Sequence, residues 1–550
     1  MSDVDSFSKH FAELLDGTYD SVDRIVLRGY LPLGGSPGGF RCWWRDLFGN
    51  DDNLDNTHLM RFSGRFSRRV RAWAEKNRVP VMDATRGHGA DSERTHQLVE
   101  KIRPSDPEFT GVFCITVHRA PAPLWEVQRY GEGGINVKRK SKLSWVNHYA
   151  FHIVDAEWGH VTIKICGHPP FLAQIILNGH EYIAQQLSRE GIGATMEGNC
   201  FTNTSNAAGL SRCADTLCSS STVGRLQQVC ERWIYTSCLC FALDLDEQKR
   251  SDFHYDYSVF QVEYSRNYLF AIPRTMDAVF QEMIDRTRRS LDIPTVRTLF
   301  GRRHRPYRKV KDKSPRFEVV VERPVYNLTV FKVNFERLTL KSYTKGARVL
   351  RVEAIAHNTE DLHCGKRLEK WPQIIDGLAK MVGRFTGVLR SVDASWITED
   401  TLETLPQPSK IGQSRVAGID INNPRIRAVI QAVMALALAP RGFRANDLAI
   451  KVSEIIGHSY TPRQAAYDLK KLRAKQIVER IGSSRRYRTS TDGLRTIATL
   501  VTLREKVLKP LLANECKLSR RPINGSATYK HYLSLQREMR DLFKTLGIAA

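Results

Sequence analysis

The sequence has no apolar run long enough to cross a bilayer. The longest, "VIQAVMALALA", covers Val429–Ala439, whereas a spanning helix needs roughly 20 such residues. Its beginning, "MSDVDSFSKHFAELL", has early acids and no basic n-region, which argues against a secretory signal and leaves the cytoplasm as the expected location, with no membrane partner. Cys-x-x-Cys pairs are missing, although there are 11 cysteines. Six lie between Cys200 and Cys240 at spacings such as Cys213-x4-Cys218 and Cys238-x-Cys240, which do not suit a tetrahedral zinc site. Cys230, Ile234 and Cys238 fall instead on one helical face, as small apolar residues of a buried helix do. No repeat of 20–50 residues is present, which excludes a solenoid or propeller. "GGSPGGFR" lacks the Gly-Lys-Ser/Thr end of a P-loop. "GHEYIAQ" has Ala184 where a zinc protease needs its second histidine. No Gly-x-Ser-x-Gly elbow sits in a strand–turn–helix context. No metal or other cofactor is evident.

Negative charge is also scarce. Lys+Arg number 83 against 59 Asp+Glu, a formal net charge of +24. Such an excess implies a polyanionic partner, with nucleic acid favoured over a membrane surface. Hydrophobic content of 42% and charged content of 26% are ordinary for a folded chain, and the length suits several domains.

The pattern along the chain reads as a multidomain α+β protein: an N-terminal α/β region, a central helical and β-rich region, and a compact C-terminal module. Residues 1–220 alternate strand-like and helix-like stretches. "DRIVLRGYLPL" is a strand, "GGSPGG" a loop, "FSRRVRAWAEKN" a helix, "VPVMDA" a strand, "DSERTHQLVEKI" a helix and "GVFCITVHRA" a strand. "SWVNHYAFHIVD" and "GHVTIKICGH" form a strand pair, and "PFLAQIILNGHEYIAQQLSREGIG" reads as one helix. Residues 221–295 read as mainly helical, with Tyr257, Phe260, Tyr264 and Tyr268 forming a helical aromatic stripe of the kind that packs a core. Residues 296–402 begin with a basic loop: eight of the fifteen residues from Arg302 to Arg316 are Lys or Arg. Pro306 and Pro315 break any helix there, and Arg302, Arg303, Arg305, Arg308 and Lys309 are candidate phosphate contacts. "LTLKSYTK" and "ARVLRVEAIAHN" then form a hairpin, with Lys341, Tyr343 and Lys345 on one face of its first arm and Arg351 and Glu353 sharing a face of the second. Residues 403–420 are a Pro/Ser/Gly linker, 421–512 the C-terminal module and 513–550 a tail.

In that module "NNPRIRAVIQAVMALALA" is a helix capped by Asn423, with Pro424 at its first position. "GFRANDLAIKVSEII" is a second helix. "TPRQAAYDLKKLRAK" is a third, capped by Thr461, with Ala465, Leu469 and Leu472 inward and Arg463, Gln464, Tyr467, Lys470 and Lys471 outward. "QIVERI", "GSSRR" and "RYRTS" make a strand, turn and strand. The order of three helices and a hairpin is that of a winged helix-turn-helix. The stretch "YTPRQAAYDLKKLRAKQIVERIGSSRRYRTSTDG" resembles the reading helix and wing of the MarR-like and ArsR-like winged-helix families, over roughly residues 421–510. The resemblance implies a third helix that enters a major groove. Arg463 and Gln464 would then read base edges and Tyr467 a thymine methyl or a phosphate. Lys470, Lys471 and Lys475 would meet phosphates, and Arg485, Arg486 and Arg488 on the wing an adjacent backbone or minor groove.

Catalysis is left open. His148, His152, His160 and His168 lie within 21 residues of a strand pair, with His160, Thr162, Lys164 and Cys166 on one face. Such a cluster could hold a divalent metal for phosphodiester cleavage. The tight histidine pair of rolling-circle initiators is absent. "LTLKSYTKGARVLRVEAIAHN" is similar to a Tyr-x-Lys…Leu-Arg-x-Glu pattern in phage and plasmid replication initiators. That similarity implies Tyr343 as nucleophile, with Lys345 beside it and Glu353 nearby. Three functions therefore stand: duplex DNA binding, strand cleavage of a replication or mobile-element type, and binding of structured RNA.

Overall fold

A computed structural model describes residues 6–83, 93–131, 134–280, 331–335, 337–391, 403–437, 439, 442–502, 504 and 527–545. The basic loop with Arg302, Arg303, Arg305, Arg308 and Lys309 lies outside them.

In chain order the elements begin with α1 (Ser6–His10), β1 (Leu15–Tyr30), α2 (Pro37–Phe48), α3 (Asn56–Lys76), β2 (Val81–Asp83), α4 (Glu93–Ile102) and β3 (Gly111–Ala122). There follow β4 (Trp125–Arg129), β5 (Ile135–Arg139), β6 (Ser144–Asp155), β7 (Gly159–Cys166), β8 (Ala173–Asn178) and α5 (Gly179–Arg189). Next come β9 (Ala194–Glu197), β10 (Cys200–Thr204), α6 (Ala207–Cys218), α7 (Thr222–Ser237), α8 (Leu245–Arg250) and β11 (Asp256–Phe270). Strands β12 (Phe331–Phe335), β13 (Leu338–Lys345) and β14 (Val349–Ala356) lead into α9 (Trp371–Ser391).

These elements build a mixed α/β structure on one ten-stranded sheet, in the order β12-β13-β14-β11-β1-β8-β7-β6-β3-β2. Among the described strands of this sheet only β2 pairs in parallel, with β3. The sheet takes strands from residues 15–178, 256–270 and 331–356, so three consecutive stretches of the chain share one layer. One face is apolar. Ile25 and Leu27 of β1, Tyr149 and Phe151 of β6, Ile163 and Ile165 of β7 and Ile175 and Leu177 of β8 are fully buried there, with Trp43 and Trp44 of α2 and Phe66 of α3 in the same core. Phe66 meets Tyr149 edge to face at 4.4 Å. Toward β14 the cover is α9, whose Ile374, Leu378, Met381 and Phe385 recur at helical spacing and are buried. The Trp371 indole donates to the Leu217 carbonyl of α6 at 2.9 Å. One charged pair lies in this region: Arg266 forks onto Asp20 at 2.7 Å through Nε and Nη2 while Tyr264 donates to the same carboxylate.

In this part of the chain three stretches differ from the sequence reading. Residues 256–270 form the central strand β11, not a helix. Tyr264 and Tyr268 are four apart, and a spacing of four keeps residues on one face at both the helical and the strand period. Partners on both sides, β1 and β14, decide for the strand. Core packing of Tyr257, Tyr264 and Tyr268 holds, since all three are buried, whereas Phe260 stands half-buried under the Arg28 guanidinium. Residues 170–193, read as one helix, contain strand β8 before the helix starts at Gly179. A Cβ at Gly179 would stand 1.7 Å from the Val22 carbonyl oxygen, so the helix can start here only because the residue is glycine. The Gly34–Gly39 loop gives way to α2 at Pro37, capped by Ser36. Cys213, Cys230 and Cys238 are buried free thiols, as the helical spacing implied for Cys230 and Cys238.

The C-terminal part comprises a short hairpin β15 (Ser409–Ile411) and β16 (Ser414–Val416), helices α10 (Pro424–Leu436), α11 (Ala445–Ile456) and α12 (Pro462–Ala474), hairpin β17 (Val478–Arg480) and β18 (Tyr487–Thr489), then α13 (Thr491–Thr502) and α14 (Ala527–Thr545). The stretch read as a plain linker thus carries a hairpin of its own. No helix among the described residues is long and apolar enough to cross a membrane.

Candidate functional site

Helix α12 starts where its sequence says it should. Thr461 accepts from the Gln464 backbone N–H at 3.3 Å, and the Gln464 side-chain oxygen accepts from the Thr461 N–H at 2.8 Å, a reciprocal capping box. Ala465, Leu469 and Leu472 are buried against the module. Asp468 is also inside, 1% exposed, held by the Tyr460 hydroxyl at 2.7 Å and by Arg425 at 3.3 Å. The outward face carries Arg463 and Tyr467, both exposed, and half-buried Lys470. Beyond α12, β17 and β18 pair in register Glu479↔Arg488, and Phe443 adds a bridge to Tyr487 that extends the hairpin to a third short strand. The tip is braced by Arg480, which donates to the Ser483 carbonyl at 2.8 Å. Arg485 projects from it, exposed.

The structure thus sorts the nine residues read here. Arg463, Tyr467 and Arg485 are presented to solvent, with Lys470 partly so. Lys471 is not outward: it is buried, 3.5 Å from Asp468 and 5.0 Å above the Tyr467 ring, because the buried carboxylate one turn away draws it in. Gln464 is committed to the cap, so its oxygen is not free for a two-point contact to adenine. Lys475 donates to the Thr404 carbonyl at 2.5 Å, and partial burial lowers its basicity. Arg486 reaches back to the Gly442 carbonyl at 3.2 Å. Arg488 pairs with Glu479 at 2.6 Å.

A second arrangement lies on the sheet face away from α9. Glu263, Ser265 and Asn267 alternate along β11, Arg351 and Glu353 along β14, and Lys341 and Tyr343 along β13. Register sets Ser265 opposite Glu353, Asn267 opposite Arg351, Tyr343 opposite Arg351 and Lys341 opposite Glu353. Asp23 is the extra residue of a bulge in β1, the device that re-aims a side chain within a ladder. The Arg351 guanidinium, fully buried, holds Asp23 at 2.5 Å, Glu353 at 3.2 Å and the Asn267 side chain at 3.0 Å. Lys341 reaches Glu353 at 3.4 Å. The hairpin β9–β10 lies against one end. Its Cys200 is buried, and the Phe201 N–H donates to the Tyr19 hydroxyl while that hydroxyl donates to the Phe201 carbonyl. Arg24, Lys341 and Arg351 balance Asp23, Glu263 and Glu353.

Burial raises the Asp23 carboxyl above its usual range, against the pull of Arg351. Burial likewise raises the Tyr343 phenol. Glu263 is pushed up to about 7, by burial first and by the Glu353 charge second. A carboxyl whose folded pKa exceeds its unfolded value favours the fold while protonated and loses that contribution as pH rises through about 7. Glu263→Gln should therefore be more stable than the parent at pH 8, by on the order of 1–3 kcal/mol, and indistinguishable from it near pH 4. Urea denaturation at the two pH values checks this; equal midpoints at pH 8 would sink it.

The histidines divide. Thr116, His152, His160 and Thr162 form one buried network: His152 Nδ1 lies 3.2 Å from His160 Nε2, and Thr116 lies 3.2 Å from the other nitrogen of His152. His160 Nδ1 meets Glu100 at 3.3 Å, which holds that carboxyl below its usual range. His148 lies four residues up β6 from His152, roughly 13 Å along the strand, where its ring stacks on His118 at 5.5 Å. Burial lowers its basicity. Six strand spacings, roughly 29 Å along the sheet, separate β13 and Tyr343 from β6, so the histidines and the tyrosine do not make one centre. Among the described residues no group of three or more His, Cys, Asp or Glu is placed to hold a metal ion.

Comparison with protein-family models, curated proteins and solved structures finds no match to this chain. Sequence reasoning found Tyr343 and Glu353 but missed Asp23, Glu263 and the full burial of Arg351. One signal was present: "DSVDRIVLRG" places two acids and two arginines in a stretch otherwise fit for a buried strand.

Proposed function

We propose that this chain is a nucleic-acid-binding protein that holds duplex DNA through its C-terminal module, used as a winged helix. The observation that carries the reading is the exposed set Arg463 and Tyr467 on α12 with Arg485 on the adjacent hairpin tip, in a chain of net charge +24. An Arg fork near a helix N-terminus suits the two acceptors of a guanine edge. A cation on a projecting hairpin suits the neighbouring phosphates. Of Arg485, Arg486 and Arg488, all expected on the wing, Arg485 is the one assigned this role, since the other two are engaged within the module. The test is a binding titration. Arg463→Ala should relax sequence preference and cost about 1–3 kcal/mol on the preferred site, whereas Arg485→Ala should weaken all duplexes alike. Tighter binding of structured RNA than of duplex DNA at matched salt would reassign the partner.

Strand cleavage is the second reading, and the seating of half-buried Tyr343 opposite Arg351 favours it. In that reaction the Tyr343 oxygen bonds to phosphorus as the bond from phosphorus to the leaving sugar oxygen breaks; the phenol proton passes to a carboxylate of the seam, and the leaving oxygen takes the electron pair and a proton from water to become a free hydroxyl. Incubation with supercoiled and single-stranded DNA and Mg2+ should then give a nick and a protein–DNA adduct that Tyr343→Phe abolishes. Cleavage that survives in Tyr343→Phe, or no cleavage at all, would refute it.

A further inference from the structure

The chain exposes a second basic and aromatic surface, far in sequence from the C-terminal module. Between Glu132 and Asp155 there is no Asp or Glu, while Lys138, Arg139, Lys140 and Lys142 fall in five residues. This stretch runs out of β5 into β6. Its backbone is anchored at Lys140, whose N–H donates to the Leu124 carbonyl at 2.9 Å, and again at Trp145, whose carbonyl accepts from Arg119 Nη2 at 2.9 Å. On that anchored frame the Trp145 side chain is 61% exposed and Leu143 60%. Trp145 faces Pro121 in register on β3, and Pro121 is exposed as well. Arg119 lies on the same strand two residues before Pro121, and Lys140 and Lys142 precede Trp145 by five and three residues; all three are exposed. The carboxylate of Glu126, on β4, is already paired with Lys138 at 3.7 Å.

Trp145, Leu143 and Pro121 leave apolar surface in water beside a run of cations, and an exposed apolar patch with a polar rim marks an interaction site. The ring's chemical partner is a flat π surface, and the cations around it select one that carries negative charge. A single strand of nucleic acid offers both at once, since its bases are unstacked and its phosphates follow the same path. Duplex DNA offers only the phosphates, because its base faces are already stacked. We propose that Trp145, with Arg119, Lys140 and Lys142, is a stacking platform for single-stranded DNA. The choice of DNA rests on the duplex-binding reading above: a chain that holds a duplex meets its separated strands wherever that duplex opens.

The experiment uses the full chain carrying Arg463→Ala and Arg485→Ala, which removes the proposed duplex contacts and leaves this surface alone. Fluorescence anisotropy is read with a labelled 15-nucleotide oligothymidylate, the matching oligouridylate and a duplex of the same length. Trp145→Ala should weaken the oligothymidylate by about tenfold, Trp145→Phe should restore most of that, and the duplex should change by less than twofold. A bromouracil-substituted strand should photocrosslink to the peptide containing Trp145. Unchanged oligothymidylate affinity in Trp145→Ala with unchanged circular dichroism would overturn the proposal. So would an equal loss for the duplex, tighter binding of the RNA strand, or loss of self-association as the sole effect of Trp145→Ala. If the surface holds and the parent chain shows no duplex binding, the C-terminal reading fails on its own.

Discussion

Replacing Arg351 by methionine is expected to destabilise the fold by about 3–5 kcal/mol. The guanidinium is fully buried at the crossing of β11, β14 and the β1 bulge, with Asp23 at 2.5 Å and Glu353 at 3.2 Å. Methionine fills similar volume but leaves two carboxylates, 1% and 3% exposed, Glu353 with Lys341 at 3.4 Å and Asp23 with the Ser21 hydroxyl but no paired cation. Their remaining way to neutrality is to bind protons. The deficit should therefore be largest at high pH and shrink as the pH falls through the raised folded pKa values of these carboxyls, so that it is smaller at pH 5 than at pH 8. Adding Asp23→Asn should recover part of the loss, because the amide needs no counter-charge. Denaturant titrations of the four proteins of this cycle at pH 5 and pH 8 measure the coupling. A loss under 1 kcal/mol with no pH dependence would mean that the buried charges do not act as one unit.

The second large effect is on binding. Arg463→Glu combined with Arg485→Glu should weaken duplex DNA binding at least about thirtyfold, taking about 1–3 kcal/mol for each lost arginine contact and adding repulsion from phosphates. The fold should not notice, since both side chains stand in solvent. The control is Lys471→Met. Its ammonium is buried beside Asp468, so this substitution should lower stability while leaving the DNA-facing charges in place. A double reversal that leaves affinity unchanged would place the duplex elsewhere on the chain.

The contrast between Lys471 and Arg463 shows how far the sequence could be read. Caps and inward leucines of α12 were legible because each is a local requirement: Thr461, Pro462, Ala465, Leu469 and Leu472 all hold the places their spacing assigns. The β13–β14 hairpin was legible for the same reason, since alternation over "LTLKSYTK" and "ARVLRVEAIA" matches the observed register. Lys471 was misread because a buried Asp468 overrides the helical wheel, and no neighbouring residue advertises that. Strand β11 was missed because tyrosines four apart suit two periods, and only β1 and β14, some 240 residues before and 85 after, choose between them. The polar seam lay beyond local reading altogether: Asp23 and Arg351 are separated by 328 residues. Their pairing is a property of the sheet order rather than of either stretch.

If this chain grips duplex DNA by its C-terminal charges, its affinity for a labelled duplex, measured from 50 to 300 mM KCl for the parent and for Arg485→Ala, will depend on salt in a way the variant alters. The parent should lose affinity linearly on a log–log plot, by about 0.9 log unit for each phosphate neutralised, and Arg485→Ala should give a slope shallower by about one. A parent slope near zero, or an identical slope for Arg485→Ala, would contradict it.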